Sequence, residues 1–244
     1  QFRNIPFDIQ EFGMLRDENR VRGLSLSDAT DLGASWYATI ADMAYESRLS
    51  EIYDWGQEVE SSSLPAGRKN VMYMFQMMEN GMRLRASKPK SVNNKTSFGG
   101  AIPVLKDGKI YILVYNHNTS RITTGGKTFY TQLEGSLINN GTTWKMNQWT
   151  VDRNNGVFMH ELYKDLRAAG VQEKTNGRIY GNRPSDRFGS AWTNVLNANL
   201  DKYEEISKLP QTMTDSIVSK EDGKLTLKID FASHAVKLIE LTPQ

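Results

Sequence analysis

The chain has no cysteine, which excludes disulfides, thiol nucleophiles and cysteine-ligated metals. Histidine is scarce. His117, His160 and His234 stand far apart in sequence, with neither an HExxH motif nor a two-histidine spacing with a carboxylate, so no metal site is expected. No run of about 18 apolar residues occurs, so no membrane-spanning helix is expected, and the first ten residues lack the basic-then-apolar pattern of a signal peptide. Charge of one sign is not in excess either. Thirty basic against 28 acidic side chains leave a net charge of +2, with no block of five like charges to suggest nucleic acid. A GxSxG elbow and a phosphate-binding GxxxxGK[ST] loop are also missing, and Lys106-Asp107-Gly108-Lys109 and Asn140-Gly141 read as hairpin turns instead.

What remains is a globular composition, 39% apolar and 24% charged over 244 residues, enough for one large domain or two small ones. Ile5, Phe7 and Ile9 alternate with polar residues and predict a short strand ending near Glu11 and the Phe12-Gly13 break. Ala34, Trp36, Tyr37, Ile40, Met43 and Ala44 recur at helical spacing, with Ser25, Ser27 or Asp28 as the expected N-cap. A second strand is expected around Leu49, Ile52, Tyr53 and Trp55, then a Ser/Pro/Gly loop over residues 61–67. A second helix through Val71, Met72, Phe75 and Met78 should end at Asn80-Gly81. Strand, helix, strand, helix argues for a parallel α/β arrangement.

After Met82 the period changes. Asp107-Gly108, Gly125-Gly126, Asn140-Gly141 and Asp222-Gly223 punctuate stretches rich in β-branched and aromatic residues, which predicts a mostly β half of hairpins with one solvated face. Strands are expected at 101–105, 109–115, 128–138, 144–151, 224–231 and 235–241, and helices at 157–169 and 192–206. The domain boundary falls near Gly81.

Glu11 stands out because a carboxylate ending an apolar strand costs free energy unless something uses it, and catalytic groups sit at the C-terminal ends of parallel strands in β/α folds. The other reading is a strand-end carboxylate bonded to a neighbouring loop. Trp55 would lie beside it as a platform for a sugar ring, or else as core. Arg16, Arg20, Arg22, Arg178, Arg183 and Arg187 in loop-like stretches would suit an acidic saccharide or a solvated surface alike. Three glycosylation sequons, at Asn94, Asn118 and Asn140, say little about compartment.

These residues carry a resemblance. Ile5-Pro6-Phe7-Asp8-Ile9-Gln10-Glu11-Phe12-Gly13 resembles the seventh barrel strand of clan A glycoside hydrolases, whose retaining nucleophile is a glutamate followed by an aromatic residue. Residues 33–42 resemble their seventh helix, Ile52-Tyr53-Asp54-Trp55-Gly56 their eighth strand, and residues 70–75 the start of the eighth helix. Residues 107–118, 151–155, 222–225 and 233–241 resemble the accessory β-sandwich of the xylosidase and iduronidase family 39; the agarase and porphyranase family 86 shares that plan. Family members usually carry Thr before the nucleophile and Trp after it, where this chain has Gln10 and Phe12.

The resemblance implies an α/β plus β fold: the last strand-helix units of a (β/α)8 TIM barrel over residues 1–81, then an antiparallel β-sandwich over residues 82–244. It implies a retaining double-displacement glycosidase with Glu11 as nucleophile and Trp55, Tyr53 and Phe12 as substrate-binding residues, and with no cofactor or metal. The expected partners are a carbohydrate substrate and a missing N-terminal barrel segment, with no nucleic acid and no membrane. A barrel takes about 250 residues, so six strands and the general acid/base would lie outside this chain. A start at Gln1, almost directly in a strand, likewise suggests a fragment or a trimmed product. An extracytoplasmic location is expected. The alternative is a non-catalytic carbohydrate-binding β-sandwich module.

Overall fold

The computed structural model describes residues 8–12, 30–47, 49, 51–54, 64, 67–87, 96–119, 125–139, 143–172, 188–219 and 224–244, with the backbone alone at 8–12, 52–54, 137, 139 and 219. Strand β1 (Asp8–Phe12) pairs in parallel with β2 (Glu51–Asp54), and α1 (Asp31–Glu46) connects them. Helix α2 (Gly67–Met78) follows β2. The expected strand, helix, strand, helix order is therefore present. The N-cap of α1 is Thr30 rather than Ser25, Ser27 or Asp28; its backbone is extended and its carbonyl accepts the Ala34 N–H at 3.1 Å. Asn80, at φ +61°, turns the chain out of α2, and the Gly81 N–H returns to the Met78 carbonyl.

The remainder is β-rich. Strands β3 (Met82–Arg83), β4 (Ser97–Lys106), β5 (Lys109–Asn118), β7 (Thr143–Asp152), β8 (Gln211–Ser219) and β10 (Ala235–Pro243) form one antiparallel sheet in the order β3-β4-β5-β10-β7-β8. Strands β6 (Lys127–Leu133) and β9 (Leu225–Phe231) make a separate two-stranded ribbon. Between β7 and β8 lies a helical insertion with α4 (Met159–Ala168), α5 (Ala191–Ala198) and α6 (Leu200–Ser207), while the short α3 (Ser136–Asn139) follows β6.

Both faces of the large sheet are covered, contrary to the expectation of one solvated face. Tyr111, Leu113, Tyr115, Val236 and Leu238 meet Ala34, Ala38, Val71 and Met74 of the two helices. Ile110, Ile112, Val114, Ile239 and Leu241 meet Leu225, Leu227, Ile229 and Phe231 of the ribbon. This is why β5 is buried at eight successive positions from Ile110 to His117, as an inner strand between two layers must be. Strand β9, with one layer beside it, keeps the strict alternation. Each fully buried aliphatic side chain in these two cores contributes about 1.5–3 kcal/mol. The helix-side core joins residues from both sides of Gly81.

Of the four glycine dipeptides read as hairpins, Asp107-Gly108 joins two paired strands, β4 and β5, with both residues at positive φ (51° and 76°), the geometry a tight hairpin demands. Gly125-Gly126 precedes β6, which pairs with β9 and not with β5. Asn140-Gly141 lies between α3 and β7, and Asp222-Gly223 between β8 and β9 in different sheets; both dipeptides fall outside the described residues. The strand expected over 128–138 ends at Leu133, where Gly135 at φ +114° breaks it before α3. Strand β8 carries no strong alternation and was not expected. The helix expected over 192–206 is two helices meeting at Asn199.

Candidate functional site

The two parallel strands place the candidate residues. Asp8 stands opposite Glu51, Ile9 opposite Ile52 and Phe12 opposite Asp54. Two residues of β1, Gln10 and Glu11, therefore lie across from one residue of β2, Tyr53. The register slips by one residue here, as at a β-bulge, a feature over-represented at barrel rims and beside active sites because it bends the strand and re-aims a side chain. Glu11 sits in that interval, one residue from the C-terminal end of β1. Tyr53 lies in the same unpaired interval of β2, and Phe12 is the next paired residue. Trp55 lies outside the described residues. The structure thus brings Glu11, Phe12 and Tyr53 to one end of the parallel pair. The bulge had a signal in the sequence: the apolar alternation Ile5, Phe7, Ile9 resumes one residue out of phase at Phe12.

Polar contacts seat α1 on the large sheet. Tyr115 donates to the fully buried Asp42 Oδ2 at 2.7 Å, and burial followed by the Asp42 charge pushes the phenol far above its ordinary range. Gly100 permits this approach, since a Cβ there would lie 2.6 Å from both Asp42 Oδ2 and the Tyr115 hydroxyl. Arg83 lies 3.2 Å from Glu46 and over the Tyr45 ring at 4.0 Å.

His117 and His234, distant in sequence, meet in the structure with ring centroids 5.6 Å apart. Ser35 donates its hydroxyl hydrogen to the Leu32 carbonyl, and its oxygen lies 2.9 Å from His117 Nδ1 and 3.4 Å from His234 Nδ1. Burial, then the neighbouring His234, lowers the His117 pKa to about 3, so the ring is neutral at physiological pH. The cluster belongs to the helix–sheet interface and not to the strand ends. His160, in α4, is separate from both and donates through Nε2 to Asp31 Oδ1 at 2.6 Å. Nothing in the sequence signalled that pair. Among the described residues no group of three His, Asp or Glu side chains could hold a metal ion, and no helix is long and apolar enough to cross a membrane.

A cavity of about 980 Å³ opens elsewhere, between β4 and β6, lined by residues such as Arg85, Gly100, Ile112, Thr128 and Tyr130. Among the described residues, none from α1 or α2 lines it.

No family model matches this sequence, and no curated protein matches it. Solved structures do match. The chain shares its fold with glycoside hydrolases. A glycoside hydrolase family 39 enzyme from Xanthomonas axonopodis pv. citri superposes with a TM-score of 0.63 at 10% identity over 99% of this chain and 45% of that one. A bacterial orthologue of human α-L-iduronidase superposes with a TM-score of 0.57 at 10% identity, over 89% of this chain and 39% of that one. A monomeric β-xylosidase from Caulobacter crescentus gives 0.56 at 11% identity, over 98% and 46%. The chain therefore spans less than half the length of each of these three glycoside hydrolases.

Proposed function

We propose that these residues are the C-terminal portion of a retaining glycoside hydrolase acting on a plant or algal polysaccharide or oligosaccharide. In this reading residues 1–81 supply the last two strand-helix units of a (β/α)8 barrel and residues 82–244 its accessory sandwich. The observation that carries it is the register shift at Glu11, near the C-terminal end of a parallel strand and in the same interval as Tyr53. The neighbours are a family 39 enzyme, an iduronidase orthologue and a β-xylosidase by name, which favours family 39 over family 86.

Glu11 would attack the anomeric carbon, forming a covalent glycosyl-enzyme while a second carboxyl about 5–5.5 Å away protonates the leaving oxygen. Water then attacks the same carbon, deprotonated by that second carboxyl, and Glu11 is released. The second carboxyl would come from barrel strands outside these 244 residues. Phe12, Tyr53 and Trp55 would provide the binding surface for the sugar. An extracytoplasmic location suits a polymeric substrate.

The test is hydrolysis of xylans, glycosaminoglycan fragments, agarose and porphyran by the protein carrying these residues together with its barrel segment. Activity on one substrate class, lost in Glu11→Gln, supports the reading. Sugar binding without hydrolysis would leave the carbohydrate-binding module.

A further inference from the structure

In a strand-helix unit the helix begins at the end of the layer where its strand finishes, so the first turns of α1 and α2 lie on the side of the C-terminal ends of β1 and β2. The helical insertion between β7 and β8 meets both first turns. His160 of α4 donates to Asp31, the first residue of α1, whose side chain is 7% exposed. Asn70, in the first turn of α2, donates through Nδ2 to the Gly156 and Ser207 carbonyls, both at 2.7 Å, and so grips the two ends of the insertion. The helix starts also touch each other: a Cβ on Gly67 would lie 2.6 Å from the Thr30 carbonyl oxygen and 2.9 Å from Val157 Cγ1. Leu64, just before α2, is buried with Phe158, Leu162 and Tyr203 of the insertion.

We propose that His160 is a positioning residue for the saccharide site, acting through Asp31 to fix the chain leaving β1 relative to the chain leaving β2. This rests on the glycosidase reading above. An element that belongs by sequence to the β-rich part thereby braces the catalytic end of the α/β part. The buried carboxylate of Asp31 is held by an N–H···O hydrogen bond that a glutamine can reproduce and an alanine cannot. A sugar bound across both strand ends would feel a change in their spacing as lost binding, and a group acting within β1 alone would feel it far less.

The experiment compares His160→Ala and His160→Gln in the protein with its barrel segment, on the oligosaccharide the wild type hydrolyses. The expected result is a KM raised about tenfold in His160→Ala with kcat within about twofold, and recovery of most of the loss in His160→Gln. Equal effects of the two substitutions, or an unchanged KM, would overturn it. A second readout needs no turnover: with 5-fluorotryptophan incorporated and Trp55 assigned by a Trp55→Phe variant, the Trp55 fluorine resonance should shift in His160→Ala and return in His160→Gln. An unmoved resonance overturns the proposal even if the enzyme is active. A wild type that hydrolyses no glycoside refutes the glycosidase reading, and the fluorine shift then decides the brace by itself. Should His160→Ala fail to fold, Asp31→Ala, which removes the acceptor, set against Asp31→Asn, which keeps it, gives the same comparison with the same expected and overturning results.

Discussion

Glu11 and Tyr53 both lie between the Ile9–Ile52 and Phe12–Asp54 pairs, in a stretch where two residues of β1 stand against one of β2. The extra residue shifts the strand by one position between Ile9 and Phe12, so the pairing that holds β1 in place is kept on both sides of the glutamate. Deleting Gln10 should let β1 pair without interruption and displace Glu11 from its aim. Hydrolysis should fall by at least about 100-fold, the loss that an ångström-scale misplacement of a reacting group brings, with the melting temperature nearly unchanged. Activity retained at the wild-type level would show that the register shift does not position Glu11 for the proposed chemistry.

The His117 ring gives stability a pH dependence of known sign. Its pKa falls from an unfolded value of 6.5 to about 3 in the folded chain, so between these limits the unfolded state holds more protons than the native one. Stability is therefore retained above pH 6.5 and lost as pH falls toward 3, with a slope from this group approaching about 1.4 kcal/mol per pH unit. Urea unfolding at a series of pH values, repeated in His117→Asn, measures it. The asparagine variant should show a flatter profile in this range.

Gly100 is fixed by the contact it permits. Gly100→Ala drives a Cβ to 2.6 Å from Asp42 Oδ2 and the Tyr115 hydroxyl, so their 2.7 Å hydrogen bond must open. The expected cost is about 1–3 kcal/mol, the same as for Tyr115→Phe, because both remove one bond from a buried carboxylate. The double variant should cost little more than either alone.

Leu238, fully buried in the sheet beneath α1, is a direct probe of the shared core. Leu238→Ala should destabilise by about 2–5 kcal/mol. Unfolding monitored by tryptophan fluorescence and by far-ultraviolet circular dichroism should remain coincident, since Leu238 touches a core joining both halves of the chain. Separate transitions would mean that the two halves unfold independently.

Local pattern carried the elements, and contact between distant segments did not show. The alternation of β9 is legible because it has one buried face, whereas α1 buries mainly small and polar residues such as Ala34, Ser35, Ala38 and Asp42 and leaves Met43 of its apolar set exposed. The turn at Asp107-Gly108 is legible because both residues must take positive φ. Gly125-Gly126 misled, because a glycine pair leading into a strand of another sheet looks in sequence like one that closes a hairpin. Burial of β5 on both sides could be read from its run Ile110 to Tyr115 only once the second covering layer was known. Glu11 is proposed from its cost as a carboxylate in an apolar strand. The Ser35–His117–His234 cluster and the His160–Asp31 pair join residues that are 82 to 199 positions apart in the first case and 129 in the second, and no local rule reaches across such separations.

The most direct test of the account is covalent trapping. The protein with its barrel segment is incubated with 2-deoxy-2-fluoroglycosyl fluorides matched to the substrate it hydrolyses, which slow the second displacement and accumulate the glycosyl-enzyme, and the digest is mapped by mass spectrometry. The account predicts a single fluorosugar adduct on Glu11. An adduct on another carboxylate, or hydrolysis of the substrate with inversion and no adduct, would contradict it.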